Sequence, residues 1–288
     1  MGVKLSHTAK EKYLNCPLSY HMHYNLGYRE NLVGSALPFG SAIDEALNFL
    51  LLNKNKVNEA KSVYEKELTK QLTSYKDAGQ DIRFSKADFD DSLGTTVEES
   101  LLTKGLMILD QYNEQVISKI KKVVEVQKYF SIPNGVGDEI IGFIDMVVQW
   151  EDDRFLLLDN KTASQKYNDE FQKIDTDKLK QVATYREALK DKMPIDGQGF
   201  IVIGKNIRKK KEPRVVIQEI FGNVTEDLVD QTFQEYDDVL YNIRMGNFPS
   251  NHPNCNSYFG PCICDKYAPS GGEDTSGLIQ LKKKVTYE

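Results

Sequence analysis

Hydrophobic residues recur at helical spacing through the first 120 positions of the chain. Residues 7–25 predict a helix with Ser6 as its N-cap. Pro17 should kink or interrupt this helix, because proline cannot continue helical hydrogen bonding. Residues 39–53 predict a second helix, and residues 56–120 predict further helices on either side of a polar break. The first part of the chain is therefore expected to be mainly helical.

After residue 120 the pattern changes from helical spacing to short β-rich runs. The runs 123–132, 139–150 and 154–162 are separated by turn-forming residues, so they predict three consecutive strands joined by tight turns. A meander followed by a helix that crosses back predicts a mixed sheet with helices on both faces. The remaining helix, two strands and last helix are predicted at 176–191, 197–206, 213–222 and 225–245.

The predicted elements fit one domain over residues 1–267. Within it, residues 54–120 are expected to form a helical insertion, and residues 250–267 form a cysteine-bearing segment. Residues 268–288 are expected to form a linker and a C-terminal tail, with either a short strand or no regular structure at the end. A chain of 288 residues is long enough for one large domain with such an insertion.

Composition narrows the class of protein only slightly. The hydrophobic fraction of 40% and the charged fraction of 28% are ordinary for a soluble globular protein. No apolar run approaches the ~20 residues of a membrane span, and the polar N-terminus does not resemble a secretory signal, so a cytoplasmic location is expected. The net charge of −6 argues against a generic polyanion-binding protein, although a local basic site or bound metal ions can still bind nucleic acid.

Charged residues interrupt two of the predicted strands. Asp145 lies inside the apolar run "GFIDMVV", and Asp159 and Lys161 follow "LLL" at the end of the next strand. Strands joined by a short turn can bring the two carboxylates together, and a cation such as Mg²⁺ or Mn²⁺ would then offset their repulsion. Lys161 points to the same side of the strand as Asp159 and could act on a water or a phosphate. The alternative is a simple salt bridge at a strand end.

The helix predicted after these strands adds two polar side chains. Gln181 and Tyr185 are four residues apart, so they lie on one face of the helix, where an amide and a phenol could hold a phosphate or a base. Alone, this would be an ordinary surface pair. Its position after the acidic residues and the lysine favours one shared site.

Three motifs in this order, "GFIDMVV", "LLLDNKT" and "QVATY", resemble the PD-(D/E)xK nuclease superfamily, and in particular its RecB-like branch. That branch includes the nuclease domains of bacterial recombination helicase–nucleases, the Cas4 proteins of CRISPR systems and many phage exonucleases. The resemblance implies a restriction-endonuclease-like α/β core. It also implies a metal-dependent DNA nuclease, specifically an exonuclease acting at DNA ends in recombination, repair or CRISPR adaptation.

The resemblance also assigns roles to individual residues. Lys161 would act on the attacking water, and Gln181 and Tyr185 would support the DNA. The implied ligands of Mg²⁺ or Mn²⁺ are Asp145, Asp159, the backbone carbonyl of Asn160 and, on the first strand, Glu125.

One position departs from the family pattern. The segment "FGSAIDEALNFLL" resembles the motif G-[ST]-x-x-H-x-x-L, in which a histidine helps to hold the metal, but Asp44 stands at that position. Aspartate is a competent hard ligand, so a Mg²⁺ or Mn²⁺ site is retained with a different metal preference. The alternative is weakened or lost activity.

Four cysteines predict a second metal site. A disulfide framework is not expected in a cytosolic chain of this size, and three of the four cysteines fall within ten residues. The segment "YLNCPLSYHMHYNL" resembles the opening of the iron–sulfur members of the same branch, which implies a [4Fe-4S] cluster. The implied cluster ligands are Cys16, Cys255, Cys262 and Cys264. The alternative is a structural Zn²⁺ bound without Cys16, by His252, Cys255, Cys262 and Cys264.

A basic stretch lies between the last two predicted strands. In most proteins such a charge run is a solvated turn, whereas in a nuclease it would grip the DNA backbone independently of sequence. Both interpretations stay open from the sequence alone. The candidate DNA-binding residues are Lys205, Arg208, Lys209, Lys210 and Lys211.

Three hypotheses of function follow from the sequence. The first is an active DNA exonuclease, with a helicase, a recombinase or a CRISPR integrase subunit as its protein partner. The second is a weakened or inactive nuclease relative that binds DNA or serves as a scaffold subunit, and Asp44 is the residue that favours it. The third is a zinc-stabilised interaction module whose acidic strand ends are mere salt bridges.

Overall fold

The computed structural model describes residues 2–135, 137–206, 215–251, 256–257, 260–261 and 264–281. Its strands, in chain order, are β1 Lys4–Ser6, β2 Tyr28–Glu30, β3 Leu32–Gly34, β4 Asp81–Arg83, β5 Ile120–Asn134, β6 Asp138–Trp150, β7 Phe155–Ala163, β8 Gly197–Gly204, β9 Ile217–Gly222, β10 Asn256–Ser257, β11 Gly260–Pro261 and β12 Leu278–Gln280.

The helices lie mostly where hydrophobic periodicity predicts them. The α-helices are α1 His7–Asn15, α2 Pro17–Tyr20, α3 Ala36–Leu52, α4 Val57–Asp77, α5 Val97–Gln115, α6 Thr176–Leu189, α7 Glu226–Arg244 and α8 Cys264–Tyr267. A π-helical turn follows α2 at His21–Asn25, and short 3₁₀ turns lie at Ile117–Lys119 and Phe171–Lys173.

Six strands form a mixed sheet at the centre of the described structure. β5, β6 and β7 form the expected antiparallel meander, β8 pairs parallel with β7, and β9 pairs antiparallel with β8. The sequence did not predict β1, which pairs parallel with β6 immediately before the first helix. The predicted α/β class with a central mixed sheet between helices is confirmed.

The two faces of the sheet pack against two separate hydrophobic cores. Leu157 of β7 belongs to a core shared with α1, α6 and α7, whereas its neighbours Leu156 and Leu158 belong to a core shared with α3, α4 and α5. Successive side chains of a strand point to opposite faces, so a strand covered on both sides must be apolar at every position. This explains the continuous run "FLLL" before Asp159.

The first helix is interrupted where proline predicts it. α1 ends at Asn15, Cys16 has extended backbone angles (φ −159°, ψ 105°), and Pro17 begins α2. The Ser6 hydroxyl caps α1 by accepting a hydrogen bond from the Ala9 N–H at 3.3 Å. The break turns the Cys16 side chain inward, where it is buried.

The helical insertion contains a strand that the hydrophobic pattern does not indicate. β4, with the mainly polar sequence "DIR", pairs parallel with β3. Three residues are too few for a periodicity, so this strand depends on a partner 49 positions away in the register Leu32–Asp81. The long helix α5 begins as the sequence predicts, and the side chains of Thr96 and Glu99 form a capping box at its start.

Helices α4 and α5 pack through a glycine, which gives a testable stability prediction. A Cβ atom on Gly105 would lie 2.0 Å from Cζ of Tyr64, a fully buried side chain whose hydroxyl donates to the Leu101 carbonyl at 2.8 Å. Gly105→Ala should therefore lower the free energy of unfolding by about 1–3 kcal/mol through overpacking. The measurement is chemical denaturation.

The control for this variant is Gly40→Ala, in helix α3. A Cβ there meets its nearest atom, the Thr162 hydroxyl, at an ordinary 3.6 Å. Alanine should then be neutral or should stabilise the helix by up to about 1 kcal/mol. Equal destabilisation by both substitutions would contradict the assigned packing of Gly105.

The C-terminal part returns to the N-terminal part of the chain. β12 pairs antiparallel with β2, from Leu278–Glu30 to Gln280–Tyr28, so the short strand is the correct one of the two sequence expectations for these residues. None of the helices in the described ranges has the length and apolar character needed to cross a membrane.

Candidate active site

Strands β6 and β7 bring Asp145 and Asp159 together where their pairing ends. The last residue pair in register is Met146–Leu158. Beyond it, the Asn160 N–H donates a hydrogen bond to the side-chain Oδ2 of Asp145 at 3.1 Å. Ile144 and Val147 face the same core, although they are three residues apart. The strand alternation therefore shifts by one residue around Asp145, and such an irregularity re-aims a side chain.

Lys161 connects Asp159 to helix α6. Its ammonium Nζ lies 2.7 Å from Oδ2 of Asp159 and donates to Oε1 of Gln181 at 2.9 Å. The Gln181 amide in turn donates to the Tyr185 hydroxyl at 2.7 Å. The structure thus connects these four sequence-predicted residues through one ion pair and two hydrogen bonds, in which Tyr185 fixes the amide and the amide fixes the lysine.

Asp159 is the acidic residue whose burial most needs an explanation. The residue is fully buried, and its Oδ1 atom has no hydrogen-bond partner in the ranges that the structure describes. A buried carboxylate oxygen without a partner is costly, and each such case calls for an explanation. A divalent cation would satisfy this atom, and the donor set of carboxylate oxygens suits hard ions such as Mg²⁺ or Mn²⁺. The residues present therefore fit such a metal.

Asp44, on helix α3, faces the same acidic group. Burial raises its pKa to about 6, Lys161 lowers it and Asp159 raises it. Its side chain keeps contact with solvent although protein atoms surround it on most sides, which is the geometry of a cleft. The residue at the position of the expected histidine is thus close enough for its charge to interact with those of Asp145 and Asp159.

The electrostatics of the site are dominated by excess negative charge. Burial raises the pKa of Asp145 well above its ordinary range, and the charges of Asp159 and Asp44 raise it further. Burial alone would lower the pKa of Lys161, but Asp159 and Asp145 outweigh burial and hold it above its usual value. The lysine is therefore an ammonium ion, and its charge interacts with the carboxylates of Asp145, Asp159 and Asp44.

Two predicted metal ligands have other contacts. Glu125 forms an ion pair with Lys128 at 3.0 Å on the edge strand β5, so its role at the metal stays a prediction. The side chain of Asn160 accepts a hydrogen bond from the Tyr112 hydroxyl at 3.0 Å, and metal binding by its carbonyl also stays a prediction. Within the described part of the chain, no three His, Cys, Asp or Glu side chains are already arranged around a metal position.

Two residues near the site have no signal in the sequence. Tyr112, a fully buried residue of α5, holds Asn160 from the opposite face of the sheet, across 48 positions of sequence. His7, at the start of α1, has its pKa lowered to about 3 by burial and by the charges of Lys10, Lys161 and Lys180. Neither belongs to a motif, and each meets the site only through packing of distant helices.

Cys16 and Cys264 meet although 248 positions separate them. Their sulfur atoms are 3.8 Å apart, too far for a disulfide bond, and the Met22 sulfur lies 3.9 Å from that of Cys264. Three of the predicted ligands of this second site lie outside the described residues: His252, Cys255 and Cys262.

Only one of the predicted DNA-binding cations falls within the described ranges. Lys205 follows β8 and is half-buried, with Nζ 5.8 Å from the centre of the Phe39 ring. The others, Arg208, Lys209, Lys210 and Lys211, lie outside the described residues.

Two carboxylates and a lysine lie where the pairing of two adjacent strands ends. Together with the mixed sheet between helices, they define a nuclease-type α/β core. The model of the PD-(D/E)XK nuclease superfamily matches residues 4–264. The chain belongs to this superfamily.

Comparison with solved structures supports the fold. The crystal structure of a "Putative exonuclease" from Eubacterium rectale has a TM-score of 0.50 and 12% sequence identity, covering 98% of this chain and 91% of that one. The structure of SSO0001 covers 96% of both chains at 13% identity, but its TM-score of 0.33 is too low to indicate a shared fold. A search of curated proteins found no match.

Proposed function

We propose that this chain is a metal-dependent DNA exonuclease of the RecB-like type. The observation that supports it best is Asp159, whose buried Oδ1 atom has no hydrogen-bond partner among the described residues, while its charge and that of Asp44 raise the pKa of Asp145. Three interacting carboxylates are costly without a further cation. In a superfamily of nucleases, a divalent metal is the natural occupant.

Asp145, Asp159 and Asp44 would hold Mg²⁺ or Mn²⁺, with the Asn160 carbonyl as a further ligand. When bound, the metal would supply Lewis-acid activation of water and charge stabilisation at the phosphate. Since the three side chains do not yet surround one position, metal binding would require the carboxylates to move closer together.

The residues of the chain itself orient a lysine at the reacting phosphate. Tyr185 holds the Gln181 amide, and that amide accepts one N–H of Lys161. The remaining N–H bonds of the ammonium are left for Asp159 and for the attacking water or the phosphate. Lys161 would thus orient the nucleophile, offset the charge of the phosphate and exchange a proton with the water.

The test is degradation of linear DNA labelled at either the 5′ or the 3′ end. An exonuclease should release the label from linear DNA with Mg²⁺ or Mn²⁺, should stop on chelation, and should leave a closed circle intact. Cutting of the closed circle would contradict the exonuclease assignment and leave an endonuclease. No cutting of any DNA with either metal would favour the alternative of an inactive DNA-binding or scaffold subunit, in which Asp44 marks the loss of activity.

We also propose that Cys16 and Cys264, with Cys255 and Cys262, hold a [4Fe-4S] cluster. The two buried sulfur atoms 3.8 Å apart support a metal site that joins the ends of the domain, and four thiolates are the ligand set such a cluster needs. The group would be structural. Zn²⁺ bound by His252, Cys255, Cys262 and Cys264 is the alternative.

Cys16→Ala distinguishes the two metal sites. If the cluster is present, anaerobically purified wild type should be brown, and the variant should lose most of its iron and melt at a lower temperature. A zinc site that excludes Cys16 would instead leave one zinc per chain in both proteins. The measurements are metal content by mass spectrometry and the visible absorption spectrum.

The proposed setting is the cytoplasm, or the host cytoplasm for a phage-encoded protein. DNA is the substrate implied by the family, and a helicase, a recombinase or a CRISPR integrase subunit would be the protein partner. Co-purification of the tagged full chain from its native cell would test these partners.

A further inference from the structure

An open pocket with a cavity volume of about 70 Å³ lies beside the acidic site and takes no part in the proposed chemistry. Helix α3 provides one wall with Ser35, Ala36 and Phe39, and the end of β4 provides another with Arg83. The segment after β7 closes the third side at Ser164, only three positions beyond Lys161. The pocket therefore lies next to the strand that carries the lysine.

Cationic side chains from three different elements line this pocket. Arg83 comes from β4, Lys104 from α5, and Lys205 follows β8. They face one carboxylate, Asp88, whose Oδ2 atom accepts hydrogen bonds from the Ser35 hydroxyl and the Ser85 N–H. The lining therefore carries a net positive charge in a protein whose overall charge is −6.

Lys104 shows that this charge is part of the wall rather than a mobile surface charge. The residue is 4% exposed, and its ammonium donates to the carbonyls of Ala87 at 2.6 Å and Asp88 at 2.9 Å. These bonds fix the loop that faces the start of α3.

Lys205 has no close anionic partner among the described residues. Its nearest partner is the Phe39 ring, and across the described ranges its ammonium forms no ion pair. Burial lowers its pKa, while the more distant carboxylates of Asp88 and Asp44 raise it. A half-buried charge without a close counter-ion is costly. Lys205 lines the pocket, and its charge also interacts with that of Asp44.

Helix α3 sets the distance between the pocket and the acidic site. Ala36 lines the pocket and Asp44 lies eight residues later, which is about 12 Å along a helix axis. One strand of B-form DNA advances about 3.4 Å per nucleotide, so this length corresponds to about three to four nucleotides. A DNA strand in the acidic site could thus place a neighbouring phosphate in the pocket.

We propose that this pocket binds a phosphate of the DNA strand about three nucleotides from the bond that is cut. The inference rests on the proposed nuclease function and deepens it. A guanidinium, two ammonium groups and the hydroxyl of Ser164 suit a tetrahedral oxyanion. Such a contact positions the strand without reading its sequence. The phosphate is either an internal diester or the monoester at a DNA end.

The test combines a modified phosphate in the oligonucleotide with a substituted side chain in the protein. Binding of fluorescent oligonucleotides to the full chain is measured in chelator, each oligonucleotide carrying one uncharged methylphosphonate at a different position. Wild type should lose affinity about tenfold at one position, the effect of a single charged contact. The double variant Arg83→Gln/Lys205→Gln should bind about tenfold more weakly and should no longer respond to that methylphosphonate.

Matched variants separate a specific contact from a general loss of charge. Lys121→Gln removes a charge at the opposite end of the sheet, where Lys121 pairs with Asp153 at 2.8 Å, and should keep the wild-type response. Lys205→Arg should keep most of the response, since it keeps the charge. The slope of log affinity against log salt should fall by about one for each phosphate that the protein no longer neutralises. Thermal melting confirms that each variant is folded.

A second set of oligonucleotides locates the phosphate. If only removal of a terminal 5′ or 3′ phosphate weakens binding, the pocket holds the DNA end; if an internal methylphosphonate does so, it holds the strand interior. Either result supports phosphate binding in the pocket. The inference is overturned if the double variant responds to the methylphosphonate as wild type does, or if no position in wild type is sensitive. Neither of these outcomes contradicts the proposed nuclease function. Failure to bind any DNA would refute the proposed function itself.

Discussion

Lys161→Ala is expected to reduce the rate of DNA degradation by about 10²–10⁴-fold, the usual contribution of a positioned proton-transfer group. The lysine holds Oδ2 of Asp159 at 2.7 Å and is itself oriented by Gln181. Alanine removes the ammonium that would face the attacking water and the phosphate. The measurement is single-turnover cleavage of labelled linear DNA at saturating enzyme, so that the loss is assigned to chemistry rather than to binding.

Lys161→Arg separates the two roles of the lysine. Arginine keeps a positive charge beside Asp159 but stays protonated, since its pKa is above about 12. Activity close to wild type in this variant would show that charge alone suffices, whereas a loss as large as that of alanine would indicate proton transfer.

The control for loss of charge is Lys190→Ala, at the exposed position immediately after α6, where the lysine pairs weakly with Glu187 at 3.5 Å. Cleavage by this variant should match wild type. Full activity in Lys161→Ala would remove the lysine from the mechanism.

Asp145→Asn is expected to abolish metal-dependent cleavage and, in the absence of metal, to stabilise the folded chain. Asp145 lies between the charges of Asp159 and Asp44 in a buried setting, so its carboxylate is held at a cost. Asparagine keeps an oxygen to accept the Asn160 N–H and removes the repulsion. We expect a gain of about 1 kcal/mol, or a few degrees in melting temperature.

The gain should depend on pH in a defined direction. The folded pKa of Asp145 lies above its unfolded value of 3.8, so above pH 3.8 the folded chain binds more protons than the unfolded chain. The metal-free wild type therefore loses stability as the pH rises, which the variant does not do at this site. Asp44, with a pKa of about 6, adds the same trend between pH 3.8 and 6 in both proteins.

Added metal should reverse the order of stability. Mg²⁺ or Mn²⁺ at 100 times its dissociation constant stabilises a protein by about 2.7 kcal/mol, and the variant should show little of this shift. Thermal melting at pH 5 and pH 8, with metal and with chelator, tests all three expectations. A variant that is less stable than wild type in chelator would contradict the assigned repulsion.

Asp44 decides between the active and the inactive alternatives. Its charge interacts with those of Asp145 and Asp159, and an oxygen ligand can serve a hard cation as well as an imidazole can. An aspartate adds a negative charge that a neutral histidine would not, which should favour Mg²⁺ and Mn²⁺ over softer metals. Its position in the cleft therefore favours an active enzyme with an altered metal preference.

The core strands and the order of the catalytic motifs can be read from the sequence alone. The apolar runs around Asp145 and before Asp159 indicated buried strands, because they are short, rich in β-forming residues and bounded by turn residues. Gln181 and Tyr185 had to share a helix face because they are four residues apart, and the structure joins them by a hydrogen bond at 2.7 Å. These conclusions depend on spacing within a few residues, which a sequence records directly.

The contacts between residues that are distant in sequence become known only from the tertiary structure. Tyr112 reaches Asn160, Cys16 reaches Cys264, and β4 reaches β3, each across tens or hundreds of positions. The pocket between Arg83, Lys104 and Lys205 likewise needs three separate elements. Contacts of this kind arise from packing, which brings together residues that share no local pattern. No periodicity or motif within one segment could have predicted them.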